Sequence, residues 1–266
     1  MRGKFRIREE DVYKMPVHFG GDAFAPVRTV YGDMTTMMMG FETGEEELLK
    51  LIPEDFELLQ PIVNVQYANC REVDWMSGGE YRLIQLSAPV RYVGNSDGLE
   101  GEYPLVIWEN KACPILGGRE EDGMPKVFAD IAVERHSGDH WFTCASYECN
   151  TFLTLDLERK EELGQADIAA LNERSRINFF GWRYIPNLGK GGSSLSHATL
   201  YPQEAKIVRA WRGDGRVSWH PFTLEMNLIQ FRAIFALSQL PVLRCLPALM
   251  TKGSAKLNVG DSRTLP

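Results

Sequence analysis

The chain has 266 residues, 44% of them hydrophobic and 24% charged, with a formal net charge of −7. A chain of that length buries a core without disulfides or a structural metal, and its acidic balance excludes the basic face that a nucleic-acid partner requires. Its five cysteines (Cys70, Cys113, Cys144, Cys149, Cys245) are dispersed and form no CxxC pair, so they read as reduced thiols of a cytoplasmic protein.

From the start of the chain, Met1 to Arg8 is basic but leads into no apolar stretch, so it does not read as a secretory signal. Residues 1–27 carry little periodicity and are expected to wrap the surface. Thr43-Gly44-Glu45-Glu46 matches a capping box, which predicts a short helix over Glu47–Ile52 stopped by Pro53. Strand signals then dominate. Pro61–Tyr67 and Tyr81–Leu86 alternate at period two, and Val90–Val93, Tyr103–Trp108, Trp141–Cys144 and Asn150–Leu155 continue the series. Turn clusters at Gly94–Gly98 and Ser137–Asp139 separate them. Lys160–Arg176 is charged and reads as one surface helix, and Leu224–Leu237 has helical apolar spacing at Leu228, Phe231, Ile234 and Phe235. The apolar run from Leu224 to Met250 is interrupted by Gln230, Arg232, Gln239 and Arg244, whereas a membrane span needs roughly 20 nearly uncharged residues. No membrane partner is expected. Many strands at short intervals with few helices predict a mainly β (α+β) fold with an antiparallel sandwich or barrel-like sheet, in one domain over residues 1–266.

Chemistry concentrates in Gly117-Gly118-Arg119-Glu120-Glu121-Asp122-Gly123-Met124-Pro125-Lys126-Val127-Phe128. The Gly pair, three acids, Gly and Pro predict a sharp, ordered loop that sets one lysine beside Met124, Val127 and Phe128. A lysine so flanked is either a snorkelling surface residue or a partly buried amine. Other signals are weaker. His136, His140 and Cys144 have metal-binding donors but lie across a predicted hairpin without HExxH or CxxC spacing. Gly189–Ser194 lacks the GxxxxGK[ST] order of a phosphate loop and reads as a turn. Met37-Met38-Met39 and Phe179, Phe180 and Trp182 read as core or subunit-interface packing.

Gly118-Arg119-Glu120, then Met124-Pro125-Lys126, is similar to the segment that carries the Schiff-base lysine of acetoacetate decarboxylases. Pro53-Glu54, Pro61-Ile62-Val63, Tyr81, Trp182–Asn187, Trp211-Arg212-Gly213 and Leu237–Val242 recur in that family's order at compatible spacing, so the resemblance spans nearly the whole chain. It implies a cone-like antiparallel β-barrel or double sheet with a few short helices, no cofactor, assembly into a tetramer or larger homo-oligomer, and Lys126 as nucleophile. An amine condenses with a ketone to an iminium whose nitrogen accepts electrons from the neighbouring carbon, which drives loss of carbon dioxide or of a proton. The amine must be neutral when it attacks. A free lysine titrates near ~10.4, and lowering such a group by about three units corresponds to roughly 4 kcal/mol.

The sequence departs from the decarboxylase pattern around the nucleophile. Val127 stands where the decarboxylases have a second lysine, so burial must supply more of the activation. Gln66 and Leu83 fall where two carboxylates are expected, and Met34 falls near the expected arginine, with Arg28 the nearest substitute at a different offset. A kept nucleophile among changed polar neighbours resembles the superfamily's divergent branch, which forms Schiff bases with pyruvate and other 2-oxo acids. The resemblance then implies a lyase condensing an oxo acid with an aldehyde, with an acetoacetate decarboxylase and a non-catalytic pocket protein as rivals. Glu121 and Tyr81 are expected to act beside Lys126 in proton transfer. Gln66, Arg119 and Glu120 are the expected substrate-binding groups, and a structural role for Arg119 and Glu120 in holding the loop is weighed beside it.

Overall fold

Period-two alternation in the sequence becomes long paired strands in the computed structural model, which describes residues 1–21, 28–94 and 98–266. Residues 22–27 of the expected surface segment, and Asn95 to Asp97 of the expected turn, lie outside the described residues. The first half of the chain forms β1 (Thr29–Glu42), α1 (Glu45–Leu49), β2 (Phe56–Leu58), β3 (Ile62–Val73), β4 (Gly79–Tyr92), β5 (Glu100–Glu109), α2 (Ala112–Gly117), β6 (Lys126–Phe128) and β7 (Asp130–Ile131). The middle forms β8 (Arg135–Ser137), β9 (His140–Tyr147), β10 (Asn150–Glu162), α3 (Gln165–Glu173) and β11 (Arg176–Ile177). There follow β12 (Phe180–Pro186), β13 (Ser193–Leu200), β14 (Gln203–Trp219), α4 (Leu228–Ser238), β15 (Arg244–Cys245), β16 (Pro247–Leu257) and β17 (Arg263–Thr264).

Fourteen strands form one sheet: ten follow the path β6-β5-β4-β3-β1-β16-β14-β10-β9-β7, and β2, β8, β11 and β15 pair onto it at β4, β9, β14 and β1, while β12, β13 and β17 form a second sheet. The two ends of the path, β6 and β7, are separated in sequence by Ala129 alone. The chain itself therefore draws the edges of the sheet together, which is how a twisted sheet approaches a barrel and hides its unpaired edges. Among the described strands only β5 and β6 pair in parallel. The expected mainly β, barrel-like architecture with few short helices is the one observed.

Alternation assigns the two faces of the large sheet. On β3, Val63, Val65 and Tyr67 enter the main core together with Ile84 and Leu86 of β4 and Val106 and Trp108 of β5. Gln66, Ala68 and Cys70, then Leu83 and Gln85, then Ile107 and Glu109, face the opposite side and line a cavity. The second sheet covers β4 and β5 near one end, with Phe180, Ala198 and Leu200 packed on Val90, Tyr92 and Tyr103. Met37 and Met39 are core residues, as their sequence context predicts.

Three local expectations change. Thr43 caps no helix: α1 begins after Gly44, and the buried Thr43 hydroxyl finds no partner while its N–H donates to the Pro61 carbonyl. The helix expected over Lys160–Arg176 is only α3, because Glu161 and Glu162 extend β10 past a bulge to pair with Arg212 and Trp211. The loop expected from Gly117 is helical, with α2 running directly into a π-type turn over Gly118–Asp122.

Helix α4 secures the strand that carries Lys126. Buried Gln230 accepts from the Trp108 indole N–H at 3.0 Å and donates to the Phe128 carbonyl at 2.6 Å. Replacing it by leucine leaves both groups without partners, at about 1–3 kcal/mol for each buried group. Gln230→Leu is thus expected to lower unfolding stability in urea by about 2–4 kcal/mol, with the denaturant slope unchanged. A loss of less than about 0.5 kcal/mol would mean that the bridge contributes no stability.

Candidate active site

Lys126 opens β6, and its backbone is held from several sides. Its N–H donates to the Met124 carbonyl at 2.8 Å, its carbonyl accepts from Arg119 Nη1 at 2.9 Å, and Ile107 N–H donates to the Pro125 carbonyl at 3.0 Å. The side chain, 9% exposed, turns inward past Gly118. A Cβ at Gly118 would stand 2.6 Å from Lys126 Cε and 2.7 Å from Nζ, so the second glycine of the pair leaves the room in which the lysine lies. Gly123 closes the turn at φ +71°, a conformation open to glycine at no steric cost.

The amine has two partners. Nζ donates to the Pro114 carbonyl of α2 at 3.0 Å and lies 3.0 Å from Oε1 of Glu109. Glu109 is 0% exposed, and among the described residues neither carboxylate oxygen has a hydrogen-bond partner apart from that ammonium. Burial pushes the Glu109 carboxyl up from the ordinary carboxylate range, and the charge of Lys126 and its hydrogen bond pull it partly back. Both members of the pair are buried, so a proton moved from nitrogen to oxygen removes two buried charges at once.

Strand register arranges the neighbours. Lys126 lies beside Ile107, Ile107 beside Gln85, and Gln85 beside Gln66, a row across four strands. The next row runs Glu109, Leu83, Ala68. Leu83, where a carboxylate was expected, is thus the cross-strand neighbour of Glu109, whose carboxylate lies against Lys126. Tyr81 and Cys70 form a third row. Burial raises the Tyr81 hydroxyl well above its ordinary value, with Tyr31 and Cys70 adding to the effect, and Tyr31 itself is pushed up to about 12. Both phenols are neutral donors at any working pH.

These side chains line a cavity of about 470 Å³. Of the residues expected from sequence, Lys126, Tyr81, Gln66 and Glu121 all face it. Glu121 stands at the mouth, paired with Lys14 at 2.8 Å, and both are well exposed. Arg119 and Glu120 do not line the cavity: the π-type turn sends Arg119 outward to the Lys126 carbonyl, so its role is to hold the loop. Arg28 lines the cavity despite its shifted offset, while Lys252 of β16 lies over the Trp141 ring.

Sequence reasoning missed Glu109, Asp122 and Phe179. Phe179, expected as packing, stacks on Tyr201 and forms part of the cavity wall. Glu109 had one available signal, since alternation from Ile107 places it on the same face at the strand's end. The histidine-rich hairpin is occupied with packing: His136 stacks on Trp141, and His140 pairs with Asp156.

Asp122 is pushed up to about 6, first by burial and then by Glu121, with Lys126 opposing the shift. A carboxyl raised in the folded state binds its proton more tightly there than when unfolded, so its contribution favours folding at low pH. That contribution fades as pH climbs from about 4 to about 6. Asparagine has no such dependence. The melting temperature of Asp122→Asn minus that of the wild type is thus expected to grow over that window and to level off above it. A difference independent of pH would remove burial of the charge as the cause.

Comparison with known proteins places this architecture. An acetoacetate decarboxylase of Burkholderia cenocepacia is 24% identical over 249 residues, which is 94% of this chain and 93% of the relative. The crystal structure of acetoacetate decarboxylase from Legionella pneumophila superposes with a TM-score of 0.75 at 20% identity, covering 91% of this chain and 90% of that one. The enduracididine biosynthesis enzyme MppR in complex with pyruvate gives 0.71 at 14% identity, over 97% and 99% of the two chains. These relatives are lyases, and among the described residues no helix is long and apolar enough to cross a membrane. The family model for acetoacetate decarboxylase (ADC) matches residues 14–264, nearly the entire length, and this chain belongs to that family.

Proposed function

We propose that this protein is a Schiff-base lyase that condenses a pyruvate-like 2-oxo acid with an aldehyde. The observation that carries the reading is the buried Lys126 amine, 3.0 Å from a carboxylate that has no other partner among the described residues. Transfer of the ammonium proton to Glu109 frees the nitrogen lone pair. The amine adds to the keto carbon, and loss of water gives the iminium. Glu109, having passed its proton to the departing oxygen, takes one from the substrate methyl group to form the enamine. The enamine carbon bonds to the aldehyde carbon, whose oxygen is protonated; Glu109 then takes a second proton from the former methyl carbon, and the hydroxyl leaves as water as the double bond forms. A second water hydrolyses the iminium, releases the unsaturated oxo acid and restores the amine. Tyr81 and Gln66 are suited to donate hydrogen bonds to the substrate carboxylate or to the oxygen that develops charge.

Leu83 and Val127 favour condensation over decarboxylation: beside the nucleophile they remove the carboxylate and the second ammonium expected of a decarboxylase. The 24% identical acetoacetate decarboxylases favour the second reading, in which the same iminium accepts the electrons of a breaking bond to carbon dioxide. A pocket protein that has lost its chemistry is the third.

Borohydride trapping with pyruvate, other 2-oxo acids and acetoacetate, followed by peptide mass spectrometry, separates them. The expected result is a reduced pyruvate adduct on Lys126, absent in Lys126→Ala, and little carbon dioxide from acetoacetate. Efficient release of carbon dioxide assigns the decarboxylase, and no adduct with any substrate leaves the pocket protein. Glu109→Gln is expected to slow exchange of the pyruvate methyl protons in heavy water by about 10²-fold, read by NMR. Unchanged exchange would remove Glu109 as the base.

A further inference from the structure

The cavity is much larger than the oxo acid that Lys126 would hold. At the ~30 Å³ that a water molecule occupies in the liquid, about 470 Å³ accommodates on the order of fifteen heavy atoms, and pyruvate fills well under half of that. The volume falls within the range of pockets that enclose drug-sized molecules.

The unfilled part has a definite chemical character. Ile107, Met124, Phe179 and Leu257 form one buried apolar cluster, against which Leu83, Tyr31 and Val259 pack, and all of these line the cavity. The cluster reaches the reacting centre. Ile107 is the cross-strand neighbour of Lys126, and Leu83 is that of Glu109. Apolar side chains that cover one another are ordinary core. These leave one side of a continuous patch facing empty space, where water gains few hydrogen bonds and an apolar ligand displaces it favourably. Two of the positions, Leu83 and Met34, are where the sequence pattern would have placed charged groups, so charge has given way to apolar surface at the point of substrate contact.

We propose that the aldehyde partner carries a bulky apolar group, aromatic or branched, which occupies the wall of Leu83, Ile107, Met124, Phe179, Leu257 and Val259. This rests on the Schiff-base reading above. The wall meets the polar row of Gln85 and Gln66 at Ile107, which stands between Lys126 and Gln85, and an apolar group seated on the wall keeps water from the enamine before it attacks.

The test pairs pyruvate with benzaldehyde or cinnamaldehyde on one side and with acetaldehyde or glyoxylate on the other. The rate of unsaturated product formation is followed for each, with the borohydride adduct as control. The expected result is a kcat/KM for the aryl aldehydes at least tenfold above that for the small ones. Ala255→Phe, which fills the cavity from β16, is expected to abolish that preference while the pyruvate adduct still forms, which also shows that the variant is folded. Leu83→Gln, nearly isosteric but polar, is expected to lower aryl selectivity in the same direction. Adduct formation with small aldehydes turned over as well as or better than aryl ones overturns the proposal and leaves the Schiff-base reading standing. An aryl preference unchanged in both variants also overturns it, because the group is then bound elsewhere. No adduct at all overturns the underlying reading.

Discussion

A buried ammonium 3.0 Å from a fully buried carboxylate constrains much of what surrounds it. Removing two charges from water costs several kcal/mol for each ion, and their attraction repays it only with good geometry and few unsatisfied atoms. Here the geometry is close but the satisfaction is incomplete, since among the described residues Glu109 accepts from nothing but the lysine. Such a pair stabilises the fold weakly, if at all. Its nitrogen and oxygen nevertheless stand close enough for a proton to pass between them.

The pair also lies where the sheet comes closest to closing on itself. Glu109 ends β5, Lys126 begins β6, and after Ala129 the chain is already in β7 at the other edge. Ala129 N–H donates to the Glu109 carbonyl, and Arg82 of β4 donates to the Ile131 carbonyl at 2.9 Å, so the seam is fastened by hydrogen bonds on both sides of the nucleophile. Gln230 adds a third fastening from α4. A catalytic group in a mobile loop would lose the near-attack geometry on which its rate depends. Lys126 is instead part of the closure that defines the barrel, and its position is as firm as the fold.

The sequence made most of the strands legible because period-two alternation is a local property. It stayed legible on β3, β4 and β5, where one face meets a core and the other a cavity. Expectations failed where tertiary pairing outweighed local preference. Glu161 and Glu162 are good helix formers, yet β14 offers them a strand partner across a bulge. Thr43 has a cap's chemistry, but its backbone is taken by Pro61 before the helix begins. In the site, Lys126, Tyr81 and Gln66 were legible from motif and alternation. For Arg119 the loop-holding alternative agrees with its bond to the Lys126 carbonyl, and the π-type turn, which sequence did not show, decides which side chains of the segment face the cavity. Asp122 and Phe179 could not be found locally, since their inward position depends on contact between that turn and the second sheet.

Leu83 and Glu109 show how strand pairing shapes the cavity. Directly opposed Cβ atoms on neighbouring strands stand only about 4.5–5.5 Å apart, and Leu83 and Glu109 are such a pair. The carboxylate reaches Lys126 from β5, and the opposed position on β4 holds an apolar side chain continuous with Ile107 and Met124. An ion pair and an apolar wall thus meet in one cavity. Fold and family follow from the barrel and its seam, whereas a reaction follows from side chains such as these, which can differ without disturbing the strands that carry them.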